Sequence, residues 1–219
     1  MNYELMENNK VFLKGEVISE PAFSHEVYGE NFYELNLKVG RLSENYDIIP
    51  ITVSEKLLGD MFSVGNIISL RGQFRSYNKL VDGKSKLLLT VFVREIIDMD
   101  DSINPNVVEL CGFVCKEPIY RTTPFGREIC DILLAVNRAY NKSDYLPCIA
   151  WGRNARYIGN VSVGQKLQII GRIQSREYQK KLSETEIETR TAYEISISKI
   201  YIAQDDVPKN EENGNQELA

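Results

Sequence analysis

Residues 145–178 read YLPCIAWGRNARYIGNVSVGQKLQIIGRIQSREY, and the fold follows from this stretch. Tyr145 to Trp151 alternates in period two. Leu146, Cys148 and Ala150 share one face, while Tyr145 and Trp151 share the other, as in a half-buried strand. Arg153 to Ile158 has the pattern of a short helix, stopped at Gly159 with Asn160 behind it. A second strand begins near Lys166. It places Leu167, Ile169, Gly171 and Ile173 on one face. Gln168, Arg172, Gln174, Arg176 and Tyr178 occupy the other, interrupted only by Ile170. Arginines beside a terminal tyrosine suit single-stranded nucleic acid, which needs cations for its phosphates and flat π-faces for its unstacked bases. The plain alternative is a solvated strand face with a surface tyrosine.

Working outward, the stretch proves to be half of a unit that occurs twice. Residues 106–118, NVVELCGFVCKEP, echo residues 9–21, NKVFLKGEVISEP. Asn9, Val11, Leu13, Gly15, Val17, Glu20 and Pro21 recur as Asn106, Val108, Leu110, Gly112, Val114, Glu117 and Pro118. At the same spacing Arg41 meets Arg138, Asp47 meets Asp144, and Pro50 meets Pro147. After a two-residue slip, Val64-Gly65 meets Val163-Gly164 and Gly72 meets Gly171. This is an internal duplication. Each copy reads as five strands, with a short helix (Glu55 to Phe62, Arg153 to Ile158) between the third and fourth. That order is an OB-fold. The expected fold class is therefore all-β, two tandem five-stranded Greek-key barrels. Gly15 and Gly112 allow a hard bend at a barrel corner, and Pro50 and Pro147 require a bulge or an edge position. The expected division is a first barrel at 1–100, a linker at 101–105 (98–106 at its widest), a second barrel at 106–203 and an acidic, disordered tail at 204–219. The linker is expected to limit the orientation of the barrels without fixing it.

Composition bounds the function. The chain has 219 residues and a net charge of −5, yet the charge is segregated. Residues 106–203 carry 14 Lys+Arg against 10 Asp+Glu, residues 10–98 carry 11 against 12, and residues 204–219 carry 1 against 5. The second unit is thus basic, the first near neutral and the tail acidic. The N-terminal sequence lacks the basic start and apolar core of a signal peptide, and no apolar run is long enough for a membrane span. A cytoplasmic protein is expected. Cys111, Cys115, Cys130 and Cys148 lie in apolar strand-like runs and are read as reduced core residues. With no CxxC pair and a lone histidine, His25, no metal site is expected. No cofactor is expected, nor an enzyme: there is no P-loop and no nucleophile–histidine pairing.

The second unit resembles the bacterial single-stranded DNA-binding protein family. NVVELCGFVCKEPIYR is similar to that family's opening strand and turn, and TPFGREICDILLAVNRAY to its second strand. YLPCIAWGRNARYI resembles the aromatic-led third strand and helix, and VGQKLQIIGRIQSREY the fourth strand. The resemblance covers about 97 residues closely and the first unit more weakly. It implies a non-catalytic protein that binds single-stranded DNA, without sequence preference, in replication, recombination or repair. On the matching positions it implies base stacking by Tyr140, Tyr145, Trp151 and Tyr178, and phosphate contact by Arg121, Arg153 and Arg176. Local charge alone adds Arg127, Arg138, Lys142, Arg156 and Arg172. The alternatives are a core side chain for Trp151, surface tyrosines for Tyr140 and Tyr178, and a solvated helix face for Arg156. In the first unit the aromatic positions hold Ser43, Ile48, Ser54 and Lys79, and Ser24 replaces Arg121, so its DNA face is read as degenerate. Arg41, Lys56, Arg71 and Arg75 remain, with Tyr77 two positions from the expected aromatic. The resemblance further implies a homodimer and recruitment of replication or repair proteins by the acidic tail. Here the tail ends Gln216-Glu217-Leu218-Ala219, without the family's terminal Pro-Phe. The rival reading is an accessory protein-interaction module, in replication or conjugation, that binds DNA weakly.

Overall fold

The computed structural model describes residues 7–41, 43–81, 84–98, 104–181 and 187–202. In chain order the strands are β1 (Asn9–Val17), β2 (Ala22–Val27), β3 (Glu30–Gly40), β4 (Tyr46–Ser54), β5 (Ile67–Val81) and β6 (Lys84–Ile96). The second half repeats them as β7 (Asn106–Val114), β8 (Ile119–Thr122), β9 (Glu128–Arg138), β10 (Lys142–Trp151), β11 (Lys166–Lys181) and β12 (Ile187–Ile202), with helix α1 (Arg153–Ile158) between β10 and β11. All belong to one sheet whose order is palindromic: β2-β3-β4-β6-β5-β1, then β7-β11-β12-β10-β9-β8. The additional pairings β1–β3 and β7–β9 close each half into a barrel. The all-β, tandem OB-fold architecture is as the sequence implies, and each barrel gains one short edge strand, β2 or β8. Their side chains are mostly exposed, so neither carries an alternation that a sequence reading can detect.

Alternate apolar residues of β1, β3, β4 and β5 fill the first barrel, with Leu13, Leu37, Ile51 and Phe74 fully buried. Leu110, Leu134, Leu146 and Ile173 do the same in the second. Closure needs Gly15 and Gly112. A Cβ on Gly112 would lie 2.7 Å from the Ala135 carbonyl oxygen, and one on Gly15 the same distance from that of Lys38. We expect Gly112→Ala to destabilise the protein by about 1–3 kcal/mol, the usual cost of overpacking. A chemical denaturation midpoint equal to wild type would refute the close approach.

A bulge interrupts the β11–β12 ladder. The register steps from Ile170↔Lys199 to Gly171↔Ile197 and so skips Ser198. This bulge turns Ile200 back towards the core beside Ile195 and Ile197. In the first barrel the same step skips Arg94. Pro50 and Pro147 sit one residue before the short parallel ladders β4–β6 and β10–β12, where a missing donor is tolerated. One local expectation is corrected. Instead of a helix over Glu55 to Phe62, the first barrel has turns and a single 3-10 turn, Asp60–Phe62, after extended Gly59. Eight residues containing a glycine are too few to hold a helix unaided. Phe62 is nevertheless buried beneath the barrel, as Ile158 is beneath the second.

The barrels do not hang on the linker. β1 and β7 pair antiparallel, with Val11 opposite Val108, and Lys14 donates its N–H to the Pro105 carbonyl at 2.8 Å. Their orientation is therefore set by a shared ladder. Residues 101–103 and the tail at 204–219 lie outside the described residues.

Of the repeated polar residues, the asparagines act within each barrel and the aspartates across the junction. The Asn9 side chain pairs with the backbone of Phe74, donating at 2.7 Å and accepting at 2.9 Å, and Asn106 does the same to Ile173. Asp47 is fully buried and accepts from Ser175 N–H of the other barrel at 2.8 Å, from Arg41 at 2.6 and 2.8 Å, and from Arg172 at 3.0 Å. Asp144 answers from the second barrel, accepting from Ser76 N–H at 2.7 Å and Arg138 at 3.2 Å. Each copy thus lends a carboxylate to its neighbour.

Candidate nucleic-acid interface

Residues opposite one another in a ladder share a face of the sheet, so the register assembles the outer surface of the second barrel. Tyr145 lies opposite Ala135, and Trp151 opposite Ile129. Ile149 lies opposite Ser196 across the parallel ladder to β12. Gln174, Arg176 and Tyr178 lie opposite Glu194, Ala192 and Arg190. Tyr145, Trp151, Arg176 and Tyr178 therefore share one solvent-facing surface spanning β10, β12 and β11. Trp151 is 39% exposed and Tyr178 37%, so neither is a core side chain. Tyr140 stands at the β9–β10 hairpin tip, 80% exposed. It and Asn141 have φ of 59° and 55°, left-handed positions in the three-residue loop that follows Arg138.

The cations fall into two groups. Arg121 on β8, Arg127 in the turn after it, Lys142 at the start of β10 and Arg153 and Arg156 on α1 are exposed; Arg121 lies opposite Ile129, the ladder partner of Trp151. Arg121 holds Asp131 at 2.8 Å, Arg156 lies 3.4 Å from Glu128, and Arg176 lies 3.9 Å from Glu194. Exposed pairs of this kind are weak, so a phosphate competes with the carboxylate at little cost. Arg138 and Arg172 are different. They are half-buried and tied to Asp144 and Asp47 in the junction. Burial pulls the Arg172 pKa down, with the Asp47 charge opposing it. Burial also pushes up the Asp144 carboxyl, whose Oδ2 has no partner among the described residues. The cysteines are unpaired, and burial pushes the Cys130 thiol up to about 11.

On the first barrel, Ile48 is partly exposed, Ser43 lies beside the β3–β4 turn, and Ser54 is buried and bonded to Glu30. Lys79 falls in β5. Of the retained cations, Arg41 is engaged by Asp47, Lys56 by Glu30 and Arg71 by Glu95. Comparison position by position therefore finds no copy of the aromatic face. It overlooks a set placed elsewhere on the same surface: His25, Phe32, Phe92, Arg75 and Arg94. The signal available in the sequence was Phe92 and Arg94 alternating with the buried Val91 and Val93.

Known proteins resemble this chain in sequence and in fold. The model of the single-strand binding protein family matches residues 105–203. The Staphylococcus aureus protein described as single-stranded DNA-binding protein 1 is 37% identical over 81 residues, which is 34% of this chain and 48% of the relative. A single-stranded DNA-binding protein of Clostridium tetani is 36% identical over 83 residues, 35% of this chain and 57% of the relative. The chain thus spans about half the length of the curated relatives it matches. The solved wild-type single-stranded DNA binding protein from Thermus aquaticus superposes with a TM-score of 0.70 over 96% of both chains at 20% identity. A deletion variant of that protein gives 0.68 over 93% of this chain and 98% of its own, at 23% identity. That likeness establishes the two-barrel fold. The match to the single-strand binding protein family is confined to residues 105–203, the second barrel.

Proposed function

We propose that the chain binds single-stranded DNA without sequence preference, chiefly along the outer face of its second barrel, and protects it in replication, recombination or repair. One observation carries the reading: Tyr145, Trp151 and Tyr178 share a solvent-facing surface with Arg176, and Arg121 joins it through Ile129, which lies opposite both Arg121 and Trp151. Stacking supplies sequence-tolerant affinity, and the cations follow the phosphates. Tyr140 extends the stacking surface from its hairpin tip. Arg138 and Arg172 contribute through the junction, by holding the two barrels in register. The division of labour follows the sequence: a first barrel at 1–100 with the weaker DNA face, a linker at 101–105, the main binding barrel at 106–203 and an acidic tail at 204–219. The protein acts as a binder and not as an enzyme. It works in the cytoplasm as a homodimer that brings four barrels together, and its tail recruits replication or repair proteins. Among the described residues no helix is long and apolar enough to cross a membrane.

The test is a titration with oligo-dT that follows Trp151 fluorescence, because the chain has a single tryptophan. Saturable quenching supports the reading, and fluorescence indifferent to oligo-dT at low salt refutes it. Salt dependence separates the two groups of cations. Each neutralised phosphate contributes roughly −0.7 to the slope of log K against log salt on single strands. Arg121→Ala and Arg176→Ala should each flatten the slope by about that amount. Arg172→Ala should lower stability first, because its partner is Asp47. An unchanged slope in the Arg121 and Arg176 variants would remove both from the phosphate path.

A further inference from the structure

The outer face of the first barrel contains a cavity of about 520 Å3, in the half of the chain that the family match does not cover. One wall is aromatic. The His25 ring stacks on Phe32 at 5.1 Å with planes 12° apart, and Phe32 meets Phe92 at 5.5 Å. The other wall is cationic. Arg75 lines it, with its guanidinium 4.7 Å from the Phe92 ring centroid; Arg94, outside the lining, lies 5.0 Å from the same ring. Arg138 reaches the cavity from the second barrel. Arg75 and Arg94 share one neutral acceptor, Gln73 Oε1, at 2.5 and 3.1 Å. Arg75 Nε is buried with no hydrogen-bond partner among the described residues. Burial, then the neighbouring Arg94 and Arg138 charges, pull the Arg75 pKa down to about 10. The nearby carboxylate, Asp144, accepts from Ser76 and Arg138 through Oδ1 alone, and its Oδ2 makes no hydrogen bond among the described residues.

Surplus, partly desolvated cations beside stacked rings describe a site that lacks its anion. A half-buried guanidinium whose Nε has no partner and whose acceptor is a shared neutral oxygen is costly, and a phosphate would satisfy it with charge-assisted hydrogen bonds. The rings offer π-faces to a flat heterocycle. A groove of about 710 Å3 between the barrels shares Tyr77 and Thr90 with this cavity and runs on to Tyr178 and Arg190 of the second barrel. We propose that the cavity is a second nucleotide-binding site, in which one unstacked base rests against Phe92, Phe32 and His25 and its phosphate meets Arg75 and Arg138. The nucleotide belongs to the strand that leaves the second barrel past Tyr178. In that respect the inference rests on the single-strand-binding reading.

The native protein carries a separate reporter for each barrel. Trp151 is the only tryptophan and His25 the only histidine. Oligo-dT should quench Trp151 and, in the same titration, produce a saturable shift of the His25 ring proton resonances. Phe92→Ala should abolish the His25 shift and weaken oligo-dT binding roughly tenfold, the scale of one lost stack. Should Phe92→Ala fail to fold by circular dichroism, Arg75→Gln serves instead, with weaker binding and a flatter salt slope. A His25 resonance that stays still while Trp151 is fully quenched overturns the site and leaves the second-barrel reading intact. A folded Phe92→Ala or Arg75→Gln variant with wild-type affinity overturns it as well. A His25 shift without Trp151 quenching would keep the site and sink the second-barrel reading. Thymidine monophosphate, titrated alone, distinguishes the sources. Saturation by the free nucleotide but not by oligo-dT would make this a metabolite pocket and overturn the strand path.

Discussion

With Trp151 and Tyr178 both replaced by alanine, the protein should lose roughly 2–6 kcal/mol of oligo-dT affinity, because each stacked base is worth about 1–3 kcal/mol. That amounts to about one and a half to four orders of magnitude in Kd. The two side chains stand on β10 and β11 with β12 between them, so they have no ring contact to share and their losses should nearly add. The fold should survive, because both rings lie on the outer face and neither fills the barrel. Anisotropy of a labelled oligo-dT is the appropriate measurement, since the fluorescent residue is gone. Each single variant should show about half the loss. A folded double variant with wild-type affinity would mean that the strand does not lie on this face.

Much of this was legible in the sequence because the decisive patterns are short-ranged. Period-two alternation in 145–151 and 166–178 gave the strands and placed Tyr145, Trp151 and Tyr178 away from the core. The duplication gave the tandem architecture. What the sequence could not supply was the meaning of the repeated polar residues. Arg41-Asp47 and Arg138-Asp144 look like surface charge in either copy alone. Only the β1–β7 ladder brings each aspartate against the other copy's β-strand. Arg138 and Arg172 were therefore readable as cations but not as junction residues. The edge strands β2 and β8 escaped for a simpler reason: a strand with both faces wet has no alternation to detect. Comparing the two units position by position also hid the first-barrel ring cluster, since Phe32 and Phe92 occupy different positions on an equivalent surface.

The junction is also where the greatest loss of stability is expected. Asp47→Ala would leave Arg41 and Arg172 half-buried without their counter-charge and Ser175 N–H without its acceptor. Breaking a buried ion pair from one side costs about 3–5 kcal/mol. The two guanidiniums keep some solvent, 29% and 33% of their side-chain surface, so the lower end of that range is expected. Asp47→Asn should recover little, because the new amide would point donors at guanidinium donors. Asp144 should behave differently although it is the symmetric residue. Its Oδ2 has no partner to lose, and burial raises its pKa. A raised carboxyl pKa means that folding favours the protonated form. Stability from this group is therefore present at low pH and lost as the pH rises from the ordinary aspartate range through the raised value. Asparagine imitates the protonated form, so Asp144→Asn should cost clearly less than Asp47→Asn near neutral pH, and the gap should narrow on acidification. Urea denaturation of both variants at two pH values reads this directly. Equal costs at neutral pH would show that the two halves of the junction carry their charge alike, and that the asymmetry in their partners has no energetic weight.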